Sequence, residues 1–139
     1  MDHLRDSANG ERESGGFLLG ELSDHVRCVK AFIPYEKVDP GALTGYIVFD
    51  GSKMDAVWNQ CRESGYRVLA DVHTHPRGYR QSPIDQSNPM VPEIGHIAII
   101  VPNYADRTYL PGQIGIYQYL GSRRWIDHSR NGNRVFQLE

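Results

Sequence analysis

A chain of 139 residues, 40% hydrophobic and 23% charged, suits one globular domain able to bury its own core without disulfide staples. A formal net charge of -2 gives no electrostatic case for binding nucleic acid or an anionic membrane. No apolar run approaches the ~20 residues of a membrane span, and no signal-peptide pattern opens the sequence.

In chain order, residues 1–7 suit a short helix that Asn9-Gly10 would end. Gly16-Phe17-Leu18-Leu19-Gly20 begins an apolar strand, Ser23-Asp24 supplies a turn, and residues 26–33 alternate well enough to return as its hairpin partner. Residues 34–40, rich in turn formers and charge, read as a loop. Residues 46–49 are another β-branched and aromatic run. Asp50 is placed to cap a helix over 52–63, where Met54, Val57, Trp58 and Cys61 recur at helical spacing, and Gly65 is placed to end it. A strand over 68–75 stops at Pro76. Residues 77–81 form a loop, Ser82-Pro83 opens a short helix, and Pro89 and Pro92 break the stretch beyond it. Two more strands are expected at 96–101 and 113–119, with edge pieces at 125–126 and 135–138. Strands dominate, so the expected class is α/β or α+β around a mostly antiparallel sheet, one domain over residues 1–139.

Two cysteines, Cys28 and Cys61, are too few for a disulfide framework and form no Cys-x-x-Cys pair. They read as buried free thiols, which favours a reducing, cytoplasmic setting. The short basic clusters, one over residues 77–80 and the other at Arg123 with Arg124, read as solvated loop charge.

The chemistry is concentrated in His73-Thr74-His75-Pro76 and Ser82-Pro83-Ile84-Asp85. Residues i and i+2 of a strand share a face, so His73 and His75 can aim two imidazoles at one ion. Zinc takes nitrogen and carboxylate ligands, and a catalytic site keeps one position open. Asp85 is the nearest downstream carboxylate able to fold back over the strand end. Each part also has a plainer reading. A His-x-His pair occurs on many half-buried strands, and Ser82, Pro83 and Asp85 form a capping box with proline at the first helical position. The two readings of Ser82 and Asp85 are compatible. Glu13 precedes Ser14-Gly15-Gly16 at the entry to a buried strand, where glycines permit close backbone approach. It is either an ordinary charged loop residue or the carboxylate that handles a water proton. His96 reads as a satisfied strand-end histidine, or as a group near the metal.

Glu13-Ser14-Gly15-Gly16-Phe17-Leu18-Leu19-Gly20, His73-x-His75-Pro76 and Ser82-x-x-Asp85, in this order, resemble the signature of the JAMM (JAB/MPN-plus) zinc metalloproteases. The likeness is greatest to prokaryotic JAB domains and runs from about Glu13 to Pro102. Residues 71–76, Ser87-Asn88-Pro89-Met90 and Gly95-His96-Ile97-Ala98 look like the members associated with bacterial ubiquitin-like conjugation operons. The resemblance implies a curved, mostly antiparallel sheet flanked by helices, of the cytidine-deaminase-like architecture. It implies a single Zn2+ per chain held by His73, His75 and Asp85, with Glu13 as general acid/base and Ser82 as the hydroxyl that stabilises the oxyanion. Six residues separate His75 from Ser82, one fewer than in the eukaryotic proteasomal and signalosome members. The family usually carries a strand before the first helix, whereas this sequence opens at that helix.

For function, the resemblance implies an isopeptidase or peptidase acting after the C-terminus of a ubiquitin-like protein, in deconjugation or precursor processing. Arg77, Tyr79 and Arg80, in the loop between ligands, are candidate substrate contacts. Two alternatives keep the same residues: release of an amino acid or sulfur-bearing group from a ubiquitin-like carrier in biosynthesis, and a non-catalytic MPN-type scaffold. Other zinc classes fit poorly, because the sequence has neither a His-Glu-x-x-His helix nor a Pro-Cys-x-x-Cys partner.

Overall fold

A computed structural model describes residues 1–44, 46–47 and 51–135. Helix α1 (Asp2–Ala8) ends at Asn9, which donates its N–H to the Arg5 carbonyl and then turns the chain out of the helix in the left-handed conformation at φ 50°. Strands β1 (Gly15–Ser23) and β2 (Val26–Pro34) form a hairpin closed by Asp24 and His25, both at positive φ. That is the turn chirality which suits the natural twist of paired strands. A short helix α2 (Tyr35–Val38) and a two-stranded ribbon, β3 (Leu43–Thr44) with β4 (Tyr46–Ile47), lead to helix α3 (Met54–Ser64). Gly65 ends α3 in the left-handed region at φ 76°, as its position in the sequence suggests. Then come β5 (Arg67–Thr74), α4 (Pro83–Ser87), β6 (Ile97–Val101), β7 (Gly115–Gly121), β8 (Arg124–Asp127) and α5 (Gly132–Val135).

Six strands make the main sheet, in the order β2-β1-β5-β6-β7-β8. Every neighbouring pair is antiparallel except β5 with β6, so the mostly antiparallel sheet of an α/β fold is found. Alternation along the strands divides the core between the two faces. Leu4 of α1 packs with Val72, Ile97, Ile99 and Val101 on one face. Met54 and Val57 of α3 pack with Phe17, Leu19 and Tyr35 on the other. Strand β6 is buried on both faces and accordingly reads as a continuous apolar run.

Several expectations need correcting. Residues 34–40 hold a helix, not only a loop, because Tyr35 is fully buried and anchors the turn in the core. Helix α3 begins later than expected, at Met54, after a 3-10 turn over Gly51–Lys53. Asp50, the expected cap, lies outside the described residues, as do residues 48–49 of the expected strand. The edge piece at 135–138 is not a strand where it is described: Val135 closes α5, and the remainder lies outside the described residues. Both cysteines are free, but each is only half-buried: Cys28 sits on the edge strand β2 and Cys61 on the outer part of α3. Among the described residues no helix is long and apolar enough to cross a membrane.

Candidate metal centre

The parallel pair places the site. Strand β5 ends at the centre of the sheet, where its neighbours run in different directions, and ligand sites favour such positions at the carboxyl ends of strands. Alternation puts Asp71, His73 and His75 on one face of β5, while Ala70 and Val72 enter the core on the other. His75, just past the strand, is gripped through its backbone. Its N–H donates to the Val101 carbonyl at 2.9 Å and its carbonyl accepts from the Tyr104 N–H at 2.9 Å. Tyr104 belongs to a turn in which Asn103, Tyr104 and Ala105 all have φ between 52° and 56°. Three successive side-chain-bearing residues in the left-handed region store strain, and here that strain sits against His75.

Asp85 comes from α4. Ser82 caps this helix: its hydroxyl accepts from the Asp85 N–H at 3.1 Å, and its own N–H donates to Asp85 Oδ2 at 2.7 Å. The capping box read from the sequence therefore exists, and it turns the carboxylate toward the strand end. Asp85 Oδ1 lies 3.3 Å from His73 Nε2, Asp85 Oδ2 lies 3.1 Å from His75 Nε2, and the two Nε2 atoms are 3.1 Å apart. His73, His75 and Asp85 thus form a possible metal-binding triad. A tetrahedral ion with ligand bonds of about 2.0–2.1 Å would space its ligand atoms by about 3.3–3.4 Å. The observed separations, measured to two different carboxylate oxygens, lie within a few tenths of an ångström of that. Capping and ligation do not compete, because a carboxylate offers about four lone-pair sites and the cap occupies one.

Both histidines are buried and Asp85 is half-buried. Burial disfavours the charged form of His73, but hydrogen bonding and attraction to Asp85 outweigh it and leave its pKa above the ordinary value. Burial opposes ionisation of Asp85 too, yet the two imidazoles hold its pKa far below the usual carboxylate range. His73 Nδ1 is buried without a hydrogen-bond partner.

Glu13 sits just ahead of β1, half-buried. Gly15 pairs with His73, the Thr74 N–H donates to the Ser14 carbonyl at 2.8 Å, and the Ser14 N–H donates to Thr74 Oγ1 at 2.9 Å. Continuing this antiparallel register sets Glu13 opposite His75. Its charge contributes to the raised pKa of His73. The approach depends on glycine: a Cβ on Gly15 would overlap the Val72 carbonyl oxygen and press on the Tyr35 ring.

The candidate substrate contacts are divided. Tyr79 and Arg80 line a cleft beside β8, whereas Arg77 is exposed and does not line it. His96 is the satisfied strand-end histidine, since its Nε2 lies 2.7 Å from Asp71 Oδ1. The other oxygen of Asp71 accepts from the Tyr35 hydroxyl at 3.1 Å. This buried Tyr35–Asp71–His96 network lies directly before His73. Sequence reasoning missed Tyr35 as a polar partner. Asp71 was detectable as the residue in phase with His73 and His75.

No protein-family model matches the chain. Solved structures share its fold. A protein of Desulfitobacterium hafniense, determined in solution, is 15% identical with a TM-score of 0.66, over 91% of this chain and 82% of that one. A protein of Salinibacter ruber, also determined in solution, is 22% identical with a TM-score of 0.56, over the same shares of 91% and 82%.

Proposed function

We propose that this protein is a zinc-dependent hydrolase of the JAMM kind, cutting the isopeptide or peptide bond after the C-terminus of a ubiquitin-like protein. The grouping of His73, His75 and Asp85, with Nε2–Nε2 and Nε2–carboxylate separations of 3.1–3.3 Å, is the observation that carries the reading. Two imidazoles and one carboxylate make a donor set suited to zinc, with a position left for solvent or substrate. When bound, zinc would supply Lewis acidity and lower the pKa of a water molecule to about 7.

The remaining work falls to the chain's own side chains. Glu13, entering opposite His75, accepts a proton from the attacking water and returns it to the departing amine, so the acyl carbon gains hydroxide as the C–N bond breaks. Ser82 accepts a hydrogen bond from Asp85, which leaves its O–H free to donate to the carbonyl oxygen as that oxygen gains charge. An extended C-terminal tail needs a strand partner, and the edges β2 and β8 supply the unpaired backbone for one. The two free thiols fit a cytoplasmic setting.

The test is metal analysis together with cleavage of ubiquitin-like fusions, with and without chelator. Zinc bound one per chain and cleavage abolished by EDTA are expected. Glu13→Ala should retain zinc and lose turnover by about 10²-fold or more, the scale of a missing acid/base group. EDTA-insensitive cleavage would refute the reading, and wild-type turnover by Glu13→Ala would remove Glu13 from it.

A further inference from the structure

The loop after His75, helix α4 and the β7–β8 hairpin enclose the cleft beside β8, of about 470 Å³. Two polar groups of its floor are buried and internally satisfied. The Tyr117 hydroxyl donates to the Tyr79 carbonyl at 2.8 Å, and Ser129 Oγ accepts from the Ile116 N–H at 3.0 Å. Its rim carries Arg80, Arg123 and Arg130, all exposed, with the half-buried rings of Tyr79 and Trp125 between them. Among the described residues no carboxylate lies within 4.0 Å of any of these guanidinium groups. The one lining carboxylate, Asp127, accepts from the Ser129 N–H at 2.8 Å. Three unpaired cations facing one anion, on a chain of net charge -2, form a local field opposed to that of the molecule.

We infer that this cleft docks an acidic segment of a polypeptide substrate, a site that rests on the hydrolase reading for its link to cleavage. Guanidinium groups pair with carboxylates through parallel hydrogen bonds, and neighbouring rings give the backbone a surface to lie on. The three arginines come from three separate elements: the ligand-connecting loop, the β7–β8 turn, where Ser122 and Arg123 have φ of 51° and 59°, and the 3-10 turn Ser129–Asn131. Of the buried polar groups beneath them, Tyr117 and Ser129 already have partners, which leaves the Gln81 amide as the one buried side chain with donors to offer. That spacing suits carboxylates distributed along a chain better than one compact anion. The cleft also joins the metal centre. Trp125 Nε1–H donates to the carbonyl of Gln86 at 3.1 Å, and Gln86 is the residue after the ligand Asp85.

Binding to the full-length, metal-free protein tests this without requiring turnover. Trp125 is one of two tryptophans, and the other, Trp58, lies on α3 away from the cleft, so tryptophan fluorescence reports occupancy. The probes are three synthetic peptides ending in Gly-Gly, identical except for four Glu, four Gln or four Lys upstream. The Glu peptide should bind, weaken with added salt, and exceed the Gln peptide by about tenfold. Arg123→Gln and Arg130→Gln should each weaken it by about two- to fivefold, the range of exposed ion pairs, while Arg123→Lys retains most of the affinity. Equal binding of the Glu and Gln peptides would overturn the inference, as would unchanged affinity in the Arg123→Gln/Arg130→Gln double variant. Inorganic phosphate binding as tightly as the Glu peptide would do the same, making this a small-anion site. Acidic-peptide binding with no hydrolysis of any Gly-Gly fusion would leave the cleft standing and sink the hydrolase, whereas hydrolysis blind to upstream charge would sink the cleft alone.

Discussion

On the proposed reading Asp85 combines a helix cap and a metal ligand in one carboxylate, and a pair of substitutions separates the two roles. Asp85→Asn keeps an oxygen that can accept the Ser82 N–H, now 2.7 Å from Oδ2, so the helix start survives. It loses the negative charge that faces His73 and His75 at 3.3 and 3.1 Å. Disturbing only the outer partners of a metal ligand costs about 10–100-fold in affinity, so removing a charged ligand should cost at least about 10²-fold. Ser82→Ala does the reverse. It deletes the acceptor of the Asp85 N–H at 3.1 Å, a cap worth about 1 kcal/mol, while leaving the carboxylate in place. For a domain of this size that corresponds to a fall in Tm of about 3–5 °C, with zinc affinity reduced by no more than about tenfold. Competition against a chromophoric chelator reads the first quantity and thermal unfolding of the metal-free protein reads the second. Zinc binding by Asp85→Asn as tight as wild type would refute the ligand assignment, and an equal loss of zinc affinity in both variants would refute the separation.

Gly15→Ala should be among the most damaging single changes, by about 3 kcal/mol, because the new methyl overlaps the Val72 carbonyl oxygen and the buried Tyr35 ring; denaturant unfolding measures it, and a loss below about 1 kcal/mol would show that β1 can move away from β5. Tyr35→Phe removes the 3.1 Å hydrogen bond to buried Asp71 and should cost about 1.5–3 kcal/mol, the range for a charged partner; stability equal to wild type would mean that His96 alone satisfies Asp71. Within the candidate metal centre the pH dependence is set by His73 and Asp85. His73, raised above 6.5, stabilises the metal-free fold fully below that value and loses the contribution as pH rises through its folded pKa, whereas Asp85, depressed below 3.8, contributes above that value and loses it as pH falls. Zinc needs neutral imidazoles, so the rise in Tm on adding zinc should be larger at pH 8 than at pH 5.5, and a larger rise at pH 5.5 would contradict the assigned ligands.

The features legible in the sequence are those whose cause is local. The His-x-His spacing comes from strand alternation, the Ser82–Asp85 box from the needs of a helix start, and the Gly15–Gly16 approach from the absence of side chains. Each is settled within a few residues, and each is found in the structure. In the sequence, the capping box and the metal triad are two explanations of Asp85. In the structure the two are compatible, because the cap turns the carboxylate toward His73 and His75. The cleft was not legible. Arg80, Arg123 and Arg130 come from separate elements, and each alone is an ordinary surface charge.

The buried network beneath His73 shows why direction along the sheet mattered. Alternating hydrophobicity says that β5 and β6 are strands but is indifferent to whether they run together or oppositely. Only the parallel arrangement, with Asp71 opposite Ala98, brings His96 at the start of β6 alongside Asp71. An antiparallel pairing would carry His96 to the far end of β5 and leave a buried carboxylate with the Tyr35 hydroxyl as its only partner on that side. An incompletely paired buried charge is costly enough to disfavour the whole register. Asp71 therefore helps to specify the parallel pair, and the parallel pair delivers Val101 to accept the backbone N–H of His75. The two histidines are thereby held from two directions, by the hydrogen-bonded Asp71–His96 pair before His73 and by the end of a neighbouring strand at His75. This gives the imidazoles little freedom to diverge, and it accounts for a possible metal-binding triad bordered by elements far apart in sequence.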